Sequence, residues 1–351
     1  MIETLKVLGR ATPEDKLLVT VGLQNLEAPR KVAVVGDGLN DLEALQAADV
    51  SFAMGGGKSI SRNASSIVLR NNDFESVMRA VMWGRNIYSN VRKFLQFQIT
   101  CNLAVLVTIV VGTIWMTESP LSATQLIWIN LIMDTLAAMA LATAPPLASI
   151  IHQPAVSGDV KILNKTMWRQ IYGVAVWMVL SMVITIYFGR LIFDLDYQKS
   201  TATTDKCSAD ELAATEPCLK DGYAADKKTH FTVIFTTFVF LQFFNLFNCR
   251  VIGADEYNIF KKPFNSWVFL LVLAVIFFVQ WSACEWFTII FETQTLTGEQ
   301  FGRCVLGAVP VLIAAFALKL TPAHWVELMP VSIDEEEVMG RDSILMSTYE
   351  N

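Results

Sequence analysis

The sequence has few charged residues, no paired-cysteine metal motif and no excess of positive charge. Charged side chains make up only 17% of its 351 residues, whereas hydrophobic side chains make up 53%. The formal net charge of −6 and the lack of a basic patch interleaved with aromatic residues argue against a nucleic-acid partner. None of the six cysteines forms a C-x-x-C pair, which argues against a thiolate metal site. This composition indicates a membrane protein that also carries a water-soluble part.

Residues 1–90 are predicted to be soluble and to mix strands with helices. The first 30 residues carry charges throughout and no apolar core segment, so no signal peptide is expected. Short β-branched runs at 31–37, 50–54 and 65–70 alternate with helical patterns, which predicts a parallel sheet. A long helix is predicted to start near Asp73 and to continue without a break signal into the first apolar run.

Six apolar runs of membrane length follow from about residue 94. The connections near 144–167 and 251–265 hold lysines, namely Lys161, Lys165, Lys261 and Lys262, whereas the turns 117–121 and 291–302 carry acids and no base. By the positive-inside rule, both termini are predicted to be cytosolic. The expected organisation is a soluble region 1–90, a membrane domain 91–320 and an acidic cytosolic tail 321–351, with spans at about 94–116, 122–143, 168–193, 230–250, 266–290 and 303–320.

The long loop 194–229 is predicted to lie outside the cell or in a lumen, and it contains Cys207 and Cys218. In such a compartment thiols are exposed to oxidising conditions. Two alternatives stay open for this loop: a disulfide between Cys207 and Cys218, or two unpaired thiols. The other four cysteines lie in or beside apolar runs and are expected to be buried as small hydrophobic side chains.

The string VVGDGLNDLEAL (34–45) is the strongest chemical signal in the soluble region. A strand is predicted to end at Gly36, which places Asp37 at the carboxyl edge of the sheet, where open α/β folds bind ligands. Gly38 is expected to allow a tight turn before the next helix. Two carboxylates four residues apart, Asp37 and Asp41, suit Mg²⁺, a cation that prefers oxygen ligands. The alternative is that Asp41 only caps the helix and Asp37 only satisfies the turn.

A second polar signal lies in the apolar stretch LIWINLIMDTLAAMALA (126–142). A carboxylate such as Asp134 at the centre of a bilayer costs about 2.5–3.5 kcal/mol on insertion scales. Asn130 stands four residues before it, so both side chains are expected on one helix face that points into the bundle. The pair could supply part of the oxygen shell that Ca²⁺ requires. The alternative is a polar pair that only bridges helices.

These strings resemble a known family. VVGDGLNDLEAL resembles the hinge motif of P-type cation-transporting ATPases, and GRATPEDK (9–16) is similar to their R-x-x-P-x-x-K element. WINLIMDTLAAMALATAPP (128–146) is similar to the sixth transmembrane helix of plasma-membrane-type Ca²⁺-ATPases, the calmodulin-regulated or autoinhibited class. The resemblance covers residues 5–320. It implies a multi-pass α-helical membrane domain of six spans, preceded by part of an α/β haloacid-dehalogenase-like phosphorylation domain.

The resemblance implies roles for four residues of the soluble region. Lys16 would pair with the phosphorylated aspartate and neutralise charge on the transferred phosphoryl group. Asp37 would bind Mg²⁺ directly, and Asn40 and Asp41 would hold the phosphoryl site through hydrogen bonds. For Lys16 alone, a solvated surface lysine is the alternative.

In the membrane region, the resemblance implies that Asn130 and Asp134 bind the transported Ca²⁺. Asn102 occupies a position used by polar ligands in two-site pumps, but Val105 stands where those pumps have a glutamate. The resemblance therefore implies one Ca²⁺ per cycle. A polar stripe on the fourth span is interpreted as helix–helix hydrogen bonds and comprises Gln242, Asn245 and Asn248.

Several parts of the family are not in this sequence: the aspartate nucleophile of D-K-T-G-T, the nucleotide-binding domain, the T-G-E-S actuator loop and the first four membrane helices. The expected function is therefore that of the C-terminal part of an ATP-driven Ca²⁺ exporter that forms an aspartyl phosphate. This chain alone is expected to be inactive. The alternatives are a P-type pump for another cation, such as Na⁺ or H⁺, and a non-catalytic truncated membrane protein.

The resemblance also implies cofactors, partners and a location. Mg²⁺ and ATP are the expected cofactors, Ca²⁺ is the expected transported ion, and lipids surround the spans. The expected location is the plasma membrane, with a vacuolar or other endomembrane as the alternative. The tail 321–351 has no basic amphipathic helix, so no C-terminal calmodulin target is expected. A regulatory segment near the N-terminus, as in plant members, is the alternative.

Overall fold

The computed structural model describes residues 5–26, 31–116, 118–146, 150–151, 162–193, 195, 221–251 and 266–320. The chain divides into two compact units, one built mainly on residues 1–89 and the other on residues 90–144 and 163–333. Cys207, Cys218 and the tail 321–351 lie outside the described residues, so the predictions made for them stay predictions.

The first unit alternates short helices and strands. Its first helix begins at Pro13 because Thr12 and Asp15 form a capping box and proline is tolerated in the first helical turn. A 3₁₀ turn, Leu39–Asp41, precedes the second helix. The elements of this unit are α1 (Pro13–Gln24), β1 (Ala33–Gly36), α2 (Leu42–Ala47), β2 (Val50–Met54), α3 (Ser59–Ala64) and β3 (Ile67–Leu69).

The three strands form one parallel sheet in the order β1-β2-β3. Val35 is paired with Phe52, and Phe52 is paired in turn with Ile67. A small core of buried side chains lies against the sheet, with Phe52, Leu69 and Val77 at its centre. The predicted parallel sheet is therefore confirmed, and its strand order places the end of β1 at one margin of the sheet.

The described residues include six helical segments that are long and apolar enough to cross a membrane, and most of these residues belong to the second unit. The predicted fold class is therefore confirmed. The helices that follow β3 are α4 (Glu75–Met116), α5 (Ala123–Ile127), α6 (Asp134–Ala142), α7 (Lys165–Ile192), α8 (Asp221–Cys249), α9 (Trp267–Glu285), α10 (Thr288–Phe291), α11 (Gly298–Ala308) and α12 (Pro310–Leu320).

Two spans depart from a plain α-helix. Residues Trp128–Met133, between α5 and α6, form a π-helix. The last span is divided into α11 and α12 at Pro310, which has no N–H to donate and whose ring disfavours an uninterrupted helix. Neither departure is evident from hydrophobic periodicity alone. The first lies directly before Asp134.

The polar stripe on α8 makes contacts with two neighbouring helices. Gln242 Nε2 lies 3.5 Å from Met178 Sδ on α7, and Asn248 Nδ2 lies 3.5 Å from the Val311 carbonyl oxygen on α12. Asn245 instead accepts a hydrogen bond from the Cys249 thiol of its own helix. The helix–helix interpretation is therefore right for Gln242 and Asn248, and wrong for Asn245 within the described part of the chain.

Candidate functional site

Lys16 and Asp41 form an ion pair in the soluble unit. Lys16 Nζ on α1 lies 2.5 Å from Asp41 Oδ1, directly before α2. The other carboxylate oxygen, Oδ2, accepts the backbone N–H groups of Asp37 and Gly38, each at 3.4 Å. Both oxygens of Asp41 are therefore occupied by donors from the protein itself.

The ionised form of Asp41 is stabilised by this surrounding. Burial by itself would raise the pKa of the Asp41 carboxyl, but the hydrogen bond and charge of Lys16 act against it. The N–H groups of Gly38 and Asp37 add to that stabilisation, so that the pKa of Asp41 lies below its ordinary value. Asp41 therefore carries its negative charge at neutral pH and holds the Lys16 ammonium group in one place.

The two glycines of the G-D-G sequence have different reasons to be glycine. A Cβ atom added to Gly36 would lie 2.6 Å from Asp41 Cβ, so the bare backbone lets Asp41 pack against the end of β1. Gly38 has φ −116° and ψ 168°, an extended conformation that any residue adopts. The expectation that Gly38 allows the turn is therefore wrong: the required glycine is Gly36, because of the close approach of Asp41.

Asp37 and Asn40 follow β1 and are exposed. The backbone of Asp37 is held in place, because its carbonyl oxygen accepts the Lys58 N–H at 3.1 Å. Its carboxylate accepts no hydrogen bond from any described residue. The exposed carboxylate of Asp37 lies on a fixed backbone and close to Asp41, whose own oxygens are already hydrogen-bonded. Asp37 is therefore suited to bind Mg²⁺ directly. The capping alternative is partly right for Asp41, which caps the 3₁₀ turn and also pairs with Lys16.

Asp134 is buried in the second unit, with 5% of its surface exposed. It is the first residue of α6, directly after the π-helix. Gln98 on α4 donates from Nε2 to Asp134 Oδ2 at 2.6 Å. The remaining oxygens of the pair, Asp134 Oδ1 and Gln98 Oε1, are buried and have no hydrogen-bond partner among the described residues. This pair therefore retains two buried oxygens that no donor in the described part of the chain satisfies.

The other two predicted calcium ligands, Asn102 and Asn130, are exposed. Asn130 is therefore not buried together with Asp134 in the described part of the chain, and its role as a Ca²⁺ ligand stays a prediction. The physical reason is the π-helix, because its i→i+5 bonds add about one residue to the turn and change the angle between the two positions by up to about 100°.

Gln98 is the residue that the sequence reasoning missed. It stands in the run FLQFQIT (94–100), where Gln96 and Gln98 are both unusual in an apolar segment. An intramembrane polar residue is a signal of function, but it does not say which of two neighbouring amides meets Asp134. Only the packing of α4 against the start of α6 decides in favour of Gln98.

The described residues contain no group of three or more His, Cys, Asp or Glu side chains that could hold a metal ion. A hard cation at Asp134 would therefore depend on amide, hydroxyl or carbonyl oxygens for the rest of its shell within this part of the chain.

Comparison with known proteins identifies the class to which these sites belong. Residues 118–321 match the family described as "Cation transporting ATPase, C-terminus", and residues 23–81 match the haloacid dehalogenase-like hydrolases. The first match covers more than half of the chain. This protein belongs to the cation-transporting ATPases, and it is an integral membrane protein with several spans.

Individual relatives are more specific. The chain is 35% identical to plasma membrane calcium-transporting ATPase 3 of Homo sapiens over 353 residues, covering 97% of this chain and 27% of the relative. It is 36% identical to plasma membrane calcium-transporting ATPase 1 of Gallus gallus over 280 residues, covering 79% of this chain and 22% of the relative. The chain thus spans about a quarter of the length of the curated relatives it matches.

Proposed function

We propose that this chain is the C-terminal part of an ATP-driven Ca²⁺ pump of the plasma membrane. The observation that carries the proposal is Asp134, a buried carboxylate within an apolar span, one oxygen of which has no donor in the described part of the chain. A charge in that place is costly unless a partner or a transported ion offsets it. The two relatives reported above are both named as calcium-transporting ATPases, which supports Ca²⁺ as that ion.

The soluble unit would serve the phosphoryl-transfer half of the cycle. Residues 1–90 would be part of a phosphorylation domain, in which ATP phosphorylates an aspartate that this sequence does not contain. Lys16 would neutralise charge on the transferred group, and Asp37 would bind Mg²⁺. Asn40 and Asp41 would hold the phosphoryl site, in keeping with the saturated hydrogen bonding of Asp41.

The membrane domain, residues 91–320, would carry the ion. Asp134 would be the charged ligand of one Ca²⁺ per cycle, and the buried Val105 contributes no carboxylate for a second ion. Asn130 and Asn102 are secondary ligand candidates because their side chains are exposed. The termini would lie in the cytosol, and the tail 321–351 would be a cytosolic segment without a calmodulin-target helix.

The test is a graft of this chain into the matching region of the human plasma membrane calcium-transporting ATPase 3. ATP-driven Ca²⁺ uptake is measured in inside-out membrane vesicles. We expect the graft to take up Ca²⁺, and Asp134→Asn to lower uptake by about 100-fold, since the amide removes the charge that the ion requires. Glu285→Gln, which changes an exposed carboxylate on α9, is the matched control and should leave uptake unchanged.

Two results would contradict the proposal. One is a membrane-inserted graft that moves no Ca²⁺, or that transports Na⁺ or H⁺ instead. The other is an Asp134→Asn variant whose Ca²⁺ uptake stays within about threefold of the unmodified graft.

A further inference from the structure

The pair of Gln98 and Asp134 is incomplete in a specific way. One hydrogen bond, 2.6 Å long, joins Gln98 Nε2 to Asp134 Oδ2. The second oxygen of each group is buried and has no donor among the described residues. Because one amide and one carboxylate are joined by a short bond, these two unsatisfied oxygens belong to a single small region. A buried acceptor without a donor is destabilising, so two of them call for an occupant that supplies positive charge or donors.

The position of Gln98 on α4 is consistent with that region being internal. Gln98, Cys101 and Val105 are spaced by three and four residues and therefore follow one helix face. Cys101 is fully buried and Val105 is 7% exposed. Asn102, the residue that sequence comparison favours on this helix, is exposed. The buried face of α4 thus presents Gln98, and not Asn102, at the level of Asp134.

We propose that Gln98 Oε1 is a ligand of the transported divalent cation, together with Asp134 Oδ1. The Nε2–H···Oδ2 hydrogen bond then fixes the rotation of both groups, so that the two free oxygens are presented in one arrangement before the ion arrives. An amide oxygen suits a hard cation and adds no charge. This inference rests on the proposed function and adds a ligand from a second helix to the same ion site.

Two variants of Gln98 in the grafted pump test its role, with the Ca²⁺ concentration for half-maximal uptake as the readout. Gln98→Met keeps a similar length but removes both the oxygen and the donor, and we expect the half-maximal concentration to rise by about tenfold. Gln98→Glu keeps an oxygen but cannot donate when ionised, and we expect a value within about threefold of the unmodified graft, or lower.

Gln96→Met is the matched control. Gln96 lies two residues earlier on α4 and is buried, whereas Gln98 is half-buried. Gln96 Oε1 likewise has no hydrogen-bond partner among the described residues, but Gln96 does not bond to Asp134. The same loss of a buried amide there should change the half-maximal Ca²⁺ concentration by less than about twofold. A difference between the two methionine variants therefore reports on the ion site and not on the general stability of the helix.

Two results would overturn the inference. If Gln98→Glu is impaired as strongly as Gln98→Met, only the donor matters and Gln98 is not a ligand. If Gln98→Met behaves like Gln96→Met, a water molecule and not the cation satisfies the two oxygens. Should Gln98→Met fail to insert, Gln98→Asn decides, because its shorter side chain withdraws the oxygen: an unchanged value overturns the inference, and a raised one supports it. An inactive unmodified graft would instead contradict the proposed function.

Discussion

Asp41 in the soluble unit and Asp134 in the membrane unit each accept a hydrogen bond from one side-chain nitrogen. They differ in whether the second carboxylate oxygen also has a donor. Lys16 and two backbone N–H groups occupy both oxygens of Asp41, whose side chain is 15% exposed. Among the residues that the structure describes, Asp134 receives a single bond, from a neutral amide, and its Oδ1 has no donor, although it is buried among apolar helices. The more buried carboxylate is thus the less satisfied one.

This difference separates two uses of a carboxylate. A carboxylate whose oxygens are all bonded to the protein can only position its neighbours, as Asp41 positions Lys16. A buried carboxylate with a free oxygen is unfavourable until something binds to it, which is the property that an ion site requires. The three predictions below test this distinction in the soluble unit, where protein donors saturate the carboxylates of Asp41 and Asp49.

The largest effect is expected for Lys16→Met. The change removes the cation that saturates Asp41 and that the proposed function places near the transferred phosphoryl group. We expect Ca²⁺-dependent ATP hydrolysis by the grafted pump to fall by about 100-fold, in the range known for removal of one charge-stabilising group. Lys58→Met, at an exposed lysine directly before α3, is the control and should retain activity. Equal activity of the two variants would make the Lys16–Asp41 pair purely structural.

A medium effect is expected at the first glycine of G-D-G. Gly36→Ala adds a Cβ atom 2.6 Å from Asp41 Cβ, so Asp41 must move away from Lys16 or the strand end must shift. The cost should be about 1–3 kcal/mol of stability in this unit, with a matching loss of ATP hydrolysis. Protease resistance of the soluble unit and the hydrolysis rate are the two measurements.

Gly38→Ala is the matched control for Gly36→Ala. Its added Cβ would meet nothing closer than 3.9 Å, and its backbone is extended, so we expect a nearly unchanged protein. If the alanine at position 38 were the damaging one, the turn and not the approach of Asp41 would set the need for glycine.

The smallest effect is expected for Asp49→Asn. Asp49 is also saturated, by the Val32 N–H at 3.0 Å, Lys31 Nζ at 3.0 Å and Gln24 Nε2 at 3.1 Å. It has no link to the proposed phosphoryl site, so the change should cost about 1 kcal/mol after allowance for its solvent contact and leave the hydrolysis rate unchanged. Faster hydrogen exchange of the Val32 amide, read by mass spectrometry, is the measurement.

The pH dependence of that exchange sharpens the prediction. The Val32 N–H, and then Lys31 and Gln24, lower the pKa of Asp49 to about 2. Because the folded value lies below the ordinary value of about 3.9, the stabilisation is present above that ordinary value and is lost as the pH falls through about 2. The difference between the unmodified protein and Asp49→Asn should therefore vanish at the acid end. A difference that persists there would mean that the carboxylate charge is not the cause.

The sequence was sufficient for the fold class because its signals are local. Six runs of membrane length and three β-branched runs between helical patterns are both readable without any contact information. Lys16 and Asp41 were each predicted as site residues from the family motifs, but the ion pair between them was not predicted. The role of Gly36 was not predicted, because it depends on how closely Asp41 packs against it. Turn preferences in the sequence report only on backbone conformation.

The membrane site was predicted less well, for a physical reason. Helical periodicity placed Asn130 beside Asp134, but it assumes 3.6 residues in every turn, and the π-helix breaks that assumption between them. Gln98 was missed because its partner lies 36 residues away. Such a contact is fixed by tertiary packing, which no single-sequence pattern encodes.

The π-helix has a practical consequence for anyone who probes this span with labels. A helical-wheel projection drawn through residues 123–142 at 100° per residue accumulates an error of up to about one residue across Trp128–Met133. If the helix faces are assigned from α5, cysteine-accessibility or spin-label positions in α6 would therefore be assigned to the wrong face of the helix. Two separate helical wheels, one ending at Ile127 and one starting at Asp134, assign the residues of each segment to the correct helix face.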